Sequence, residues 1–164
     1  MKRLLLIVQL FLVIKAPAQD TSSAAKKSPF TFSGSADIYY QYDHNKPPNK
    51  ERPPFLYNFK KHNQLNVNLV LLRGAYQGKK WRANLAMMAG NYADYNLAPE
   101  STFFRYINEA NIGFVFSGKF SMDAGIFPSH IGLESAIAKD NWNLSRSILA
   151  ENTPYYETGI KFNY

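Results

Sequence analysis

The side chains that most often do chemistry are sparse here. The chain holds three histidines, His44, His62 and His130, and no cysteine. Ser129 precedes His130, and Glu134 is close by, which is raw material for a hydrolytic triad; adjacency in sequence does not assemble one. No G-x-S-x-G elbow, H-E-x-x-H helix, phosphate loop or EF-hand pattern occurs. The expectation is a protein that is not an enzyme, with no catalytic residue, no metal and no cofactor.

What recurs instead is polar chemistry at alternate positions. Asp37, Gln41, Asn66, Asn68, Arg82, Asn84, Arg105, Glu109, Asn111, Asp123, Glu157 and Lys161 each occupy the polar parity of their own segment. Mixed charges placed this way set a transverse field across a water-filled passage and tune which ions cross it. The plainer use of the same residues is a wet wall whose side chains only pair with one another. Glu134 and Arg146 lie in the long irregular stretch 127–154. They are the constriction candidates, because a loop folded into a passage needs charges that meet its wall.

The elements that would position these residues are read best from Glu109 to Phe127, EANIGFVFSGKFSMDAGIF. Ala110, Ile112, Phe114 and Phe116 share one parity, Asn111 and Gly113 the other. After Ser117-Gly118-Lys119 the pattern resumes, with Phe120, Met122, Ala124 and Ile126 against Ser121, Asp123 and Gly125. Strand side chains alternate between faces, so this is a hairpin with one apolar and one small or polar face. Gly118 is expected to supply the positive φ of its tight turn. Phe30 to Asp43, Gln64 to Tyr76, Trp81 to Gly90 and Tyr156 to Tyr164 repeat the alternation, and the fourth strand is expected to reach back to Phe104. In the second strand Leu65, Val67, Leu69 and Leu71 oppose Gln64, Asn66 and Asn68, then the pattern blurs at Val70 and Leu72. That parity turns Arg73 outward, where it could snorkel toward headgroups.

Composition narrows the class. Aromatic residues make up 15% of 164 residues, with 11 Tyr, 12 Phe and 2 Trp, which suits strands and interfacial girdles. The formal charge is +7, part of it from Lys2, Arg3 and Lys15. With no basic-aromatic motif, nucleic acid is not an expected partner. No run of about 18 apolar residues occurs, so a membrane protein of this composition crosses with strands.

Residues 1–18 read as a secretory signal: Lys2-Arg3, an apolar Leu4–Ile14 run, then Ala16-Pro17-Ala18. Residues 19–29 read as a flexible periplasmic leader and 30–164 as strands. His44 to Lys61 is a Pro-rich basic loop whose two Pro-Pro pairs bar a strand or helix; its lysines could attract lipopolysaccharide or solutes. Connections run long, short, long, short, long, the asymmetry of outer-membrane barrels. Six strands fall short of the eight or more that close one, and an open edge in lipid leaves unpaired backbone groups. The expectation is therefore the N-terminal part of a larger barrel, with assembly from several copies as the alternative.

From about Ser33 onward the chain resembles the OmpL-like β-barrel porins of Bacteroidetes. The run AGIFPSHIGLES (Ala124–Ser135) and then NWNLSRSILAENTPYYETGI (Asn141–Ile160) carry the resemblance, through Gly125, Phe127, Gly132, Glu134, Ser145, Arg146, Ser147, Pro154, Thr158 and Gly159. It implies an outer-membrane barrel of porin type, with members about twice this length or more, and transfers no substrate. The resulting expectation is an all-β, antiparallel, up-and-down transmembrane β-barrel, exported to the outer membrane. It would pass small solutes and ions by passive diffusion, in contact with lipid and lipopolysaccharide. Two rivals stand beside it: a barrel-anchored surface binding or adhesion protein, and a soluble secreted ligand-binding β-barrel.

Overall fold

A computed structural model describes residues 28–164. The signal and most of the leader read from the sequence lie outside the described residues. Six strands follow one another as β1 (Phe30–Tyr40), β2 (Leu65–Gln77), β3 (Trp81–Ala89), β4 (Ile107–Ser117), β5 (Phe120–Pro128) and β6 (Tyr156–Asn163). They form one antiparallel sheet in the order β1-β2-β3-β4-β5-β6, an up-and-down meander. β1 and β6 are its two edges, and the sheet does not close on itself. Strands of 8 to 13 residues bracket the about nine to eleven that a tilted crossing needs. Among the described residues no helix is long and apolar enough to cross a membrane.

Register sorts the two faces. Across one run the pairs Gly34↔Leu72, Leu72↔Met87, Leu85↔Ala110, Ile112↔Ala124 and Ala124↔Ile160, all apolar or glycine. These side chains meet no core: Phe32 is 84% exposed, Leu72 66% and Ile160 64%. Near the short connections 78–80 and 118–119 the same face carries an aromatic row. Phe30 packs on Tyr76, Trp81 on Phe114, Phe116 on Phe120, and Phe120 on Phe162, at centroid distances of 4.9, 4.6, 5.3 and 6.0 Å. So much apolar surface on one side of a sheet is a solvation statement: that side is built for hydrocarbon, with a girdle at one margin.

The opposite face carries the core and the long connections. Leu69, Leu71, Ala86 and Met88 point there from β2 and β3, under Tyr92, Ala93 and Leu97. Tyr92 and Ala93 belong to α1 (Asn91–Asn96), one short turn of helix that Pro99 keeps from continuing. Gly90 makes the entry into α1 at φ 118°, where an added Cβ would stand 2.7 Å from the Asn68 carbonyl oxygen. Only glycine occupies that conformation without strain. Connection 90–106 also holds α2 (Thr102–Arg105), and connection 129–155 holds α3 (Ile148–Glu151). Ser147 caps α3, its Oγ accepting from the Ala150 N–H at 3.2 Å. Ala136 and Ile137 of that last connection pack on the core, which places it against the inside of the sheet.

Three local expectations are corrected here. Asn68 is skipped in the pairing of β1 with β2, where Asp37↔Leu69 is followed by Ile38↔Val67. The bulge turns Asn68 and Leu69 to the same side, so parity reverses along β2 and Arg73 points inward. Gly118 is not among the positive-φ residues, so that hairpin turns without a left-handed glycine. β4 starts at Ile107 rather than Phe104, because Thr102–Arg105 closes a helical turn first.

Candidate functional site

The polar face has two zones, a charged wall near the short connections and a layer of loops toward the other end. In the wall, β3, β4 and β5 set Arg82, Gly113 and Asp123 side by side. Arg82 grips Asp123 with two bonds, Nε to Oδ1 and Nη2 to Oδ2, both 2.6 Å. The fork needs clear passage over β4, and Gly113 provides it: a Cβ there would overlap the Asp123 carboxylate and come 2.7 Å from Arg82 Cγ. Arg82 Nη2 also donates to Ser121 Oγ, and Asn163 Nδ2 donates to Asp123 at 2.9 Å. Beside this group, Asn84 donates to Asn111 at 2.9 Å and Asn111 to Glu109 at 2.9 Å. Glu109 takes Arg73 at 2.8 Å. Lys161 reaches over the Phe127 ring at 4.9 Å, with no carboxylate in ion-pair distance among the described residues. The wall is thus a lattice of paired charges with one cation left for solvent or solute.

The loop layer is tied to the sheet by a buried chain of amides. Asn68, the bulged residue, donates through Nδ2 to Asp37 at 3.0 Å and to Asn58 at 3.1 Å, while its Oδ1 accepts from the Phe59 N–H at 2.9 Å. Asn58 in turn donates to Glu151 Oε1 at 2.6 Å. Asn58, Asn68 and Glu151 are all buried. One line of contacts therefore joins β1, β2, connection 41–64 and α3. Tyr39 adds a second tie, donating to Asn91 of α1 at 2.6 Å and accepting from the Lys61 N–H at 2.8 Å. Connection 41–64 otherwise has a single bridge, Glu51↔Lys61. Lys61 Nζ meets Glu51 at 2.6 Å and Tyr95 donates to the same carboxylate at 2.5 Å. Those two bonds, Lys61 first, hold the Glu51 carboxyl below its ordinary range, and Glu51 raises the Lys61 ammonium.

In connection 129–155 the two constriction candidates find separate partners. Glu134 accepts from the Ser147 N–H at 2.9 Å and hydroxyl at 2.8 Å, which lowers its carboxyl pKa. Arg146 donates to the Ala150 carbonyl at 2.6 Å and lies over the Tyr92 ring at 5.9 Å. Burial pushes the Tyr92 and Tyr155 phenols up to about 12, so both stay neutral, and Tyr155 donates to the Glu151 carbonyl at 2.6 Å. Neither Glu134 nor Arg146 pairs with a wall charge.

Of the remaining candidates, Asp37, Arg82, Glu109, Asn111, Asp123, Glu157 and Lys161 stand on strands of the polar face. Gln41 lies just past the end of β1, and Arg105 stands in α2, off the strand parity assigned to it. There its guanidinium donates to the carbonyls of Leu97, Ala98 and Glu100, closing a turn instead of facing the wall. His130 Nδ1 sits 2.8 Å from Glu157, and Ser129 Oγ accepts from the Ile131 N–H, so Ser129, His130 and Glu134 do not converge. His62 Nδ1 accepts from the Asp43 N–H at 2.8 Å. Among the described residues no group of three metal-ligating side chains comes together. The residues that sequence reading missed are Arg73, Asn58 and Glu151. Arg73 was hidden by the bulge, and the other two by connections that carry no periodic signal.

Residues 29–164 match the family described as Putative beta-barrel porin-2, OmpL-like. The chain belongs to that family. Membership agrees with the faces of the sheet: a porin wall needs hydrocarbon outside and polar groups inside. A porin family also points away from enzymatic work and toward the outer membrane. No curated protein and no solved structure matches the chain.

Proposed function

We propose that this member of the OmpL-like porins forms part of the wall of an outer-membrane diffusion channel for small solutes and ions. The observation that carries the reading is the infolded connection 129–155, which lays Ala136 and Ile137 on the polar-face core instead of extending past the strand ends. A surface adhesin has no use for its longest loop inside the wall. A channel does, because the loop narrows the passage and brings Arg146 and Glu134 within reach of passing charge. Transport is passive: solutes enter between the long connections, pass the loop and then the Arg82–Asp123 lattice, and leave at the end of the short connections. No cofactor enters this scheme, and nucleic acid has no part in it. Lipid and lipopolysaccharide contact the apolar face and the loop lysines, and copies of the chain assembling together remain compatible with the open sheet edges.

The test is conductance of the purified full chain in planar bilayers. Discrete, ohmic steps support the channel. Detergent-folded protein that inserts and never conducts removes it in favour of a barrel that only anchors its loops.

A further inference from the structure

Between the sheet and the infolded loop lies a cavity of about 310 Å³. Arg73 and Asn108 line it from the wall, and Arg146, Glu134, Asp140 and Tyr155 from the loop. The volume sits at the lower end of the about 300–1,000 Å³ typical of small-ligand pockets. Its two arginines are under-used. Arg73 spends one nitrogen on Glu109, and its Nε is buried without a partner. Arg146 gives one nitrogen to the Ala150 carbonyl, and its Nε and Nη1 are buried without partners. Among the described residues no carboxylate lies within ion-pair distance of Arg146. The two acids of the lining are already engaged, Glu134 by Ser147 and Asp140 by Lys139 at 3.5 Å.

A buried donor with no acceptor is costly, and a guanidinium presents its donors as a planar fork that fits a carboxylate or phosphate. We propose that the cavity between Arg73 and Arg146 is a binding subsite for a small soluble oxyanion, a carboxylate or a phosphate, held under the infolded loop. The inference deepens the channel reading and rests on it for the idea that the anion is a solute in transit. A lipid phosphate is a poor occupant, since the cavity opens on the polar face, away from the hydrocarbon side. The wall arginine fixes one side of the site and the loop arginine the other, so an occupied site pins the loop in place.

Titration calorimetry on the full chain folded in detergent tests this with succinate, inorganic phosphate and, as an uncharged control, glycerol. Binding of either anion but not of glycerol is expected. Losing one charge-assisted fork in Arg146→Met should weaken it about tenfold or more, with Arg73→Met giving a similar loss and Lys119→Met, in the β4–β5 turn, none. Heat-modified gel mobility reports whether each variant is folded. A wild-type protein that binds neither anion, or folded arginine variants that bind as well as wild type, overturns the subsite. Bilayer conductance separates the two readings. Conductance without anion binding defeats the subsite alone, and anion binding without conductance defeats the channel alone.

Discussion

At the scale of single residues, the wall depends on one absent side chain. Gly113 lets Arg82 and Asp123 reach each other across β4, and both charges are largely shielded, with 25% and 8% of their side chains exposed. Gly113→Val puts carbon where the fork lies. The expected result is a folded sheet less stable by about 2 kcal/mol, the scale of a lost hydrogen bond to a charged group. Denaturant unfolding reads this, and a midpoint equal to wild type would show that the pair contributes little. Glu134 gives a pH prediction. Its carboxyl is held below the ordinary 4.5, first by the Ser147 N–H and then by the Ser147 hydroxyl. A carboxyl whose folded value is lowered stabilises the loop above the unfolded value and gives that up as pH falls through the folded one. The protection factor of the Ser147 amide should therefore be flat at neutral pH and drop in acid as the carboxyl takes up its proton, and Glu134→Gln should remove the drop. The same acid profile in Glu134→Gln as in wild type would contradict it.

At the scale of elements, strands were far more legible than what joins them. β3, β5 and β6 keep a two-residue period, and β4 keeps it from Glu109 to Val115, between register shifts at Asn108 and Phe116, so these faces could be assigned from the letters alone. β2 could not, because one bulged residue reverses parity without leaving a signature that a period count can see. The blur at Val70 and Leu72 was its only trace, and Arg73 was misassigned with it. The connections were read as irregular, which is right in outline for 41–64 and misses α1, α2 and α3. Helices of four to six residues carry too few turns for a periodic signal, and α1 forms because Tyr92, Ala93 and Leu97 find a core on β2 and β3. The infolding of 129–155 rests on the same tertiary fact. Its functional consequence is direct. Deleting residues 131–150 should raise single-channel conductance severalfold and weaken ion selectivity. Arg146→Glu in the intact loop should shift the reversal potential toward cations. Unchanged conductance in the deletion would place the narrowest point elsewhere.

At the scale of the whole molecule, the two faces of one sheet answer to different solvents. The core is on the side with the polar residues and loops, while the exposed face is almost wholly apolar and ends in an aromatic row. A water-soluble sheet is built the other way, with its apolar face against a core and its polar face wet. The family match and the register point in one direction because porin architecture demands this inversion. Adjacent residues near the middle of the sheet offer the sharpest reading of it. Leu85 is 52% exposed on the apolar face, and Asn84, next in the chain, bonds to Asn111 on the other. Nitroxide labels at these two positions, in the chain reconstituted into lipid vesicles, measure accessibility to oxygen dissolved in the bilayer and to a water-soluble nickel chelate. The account predicts relaxation by oxygen at position 85 and by the chelate at position 84. Equal access of the chelate to both labels, with no enhancement by oxygen at position 85, would contradict it.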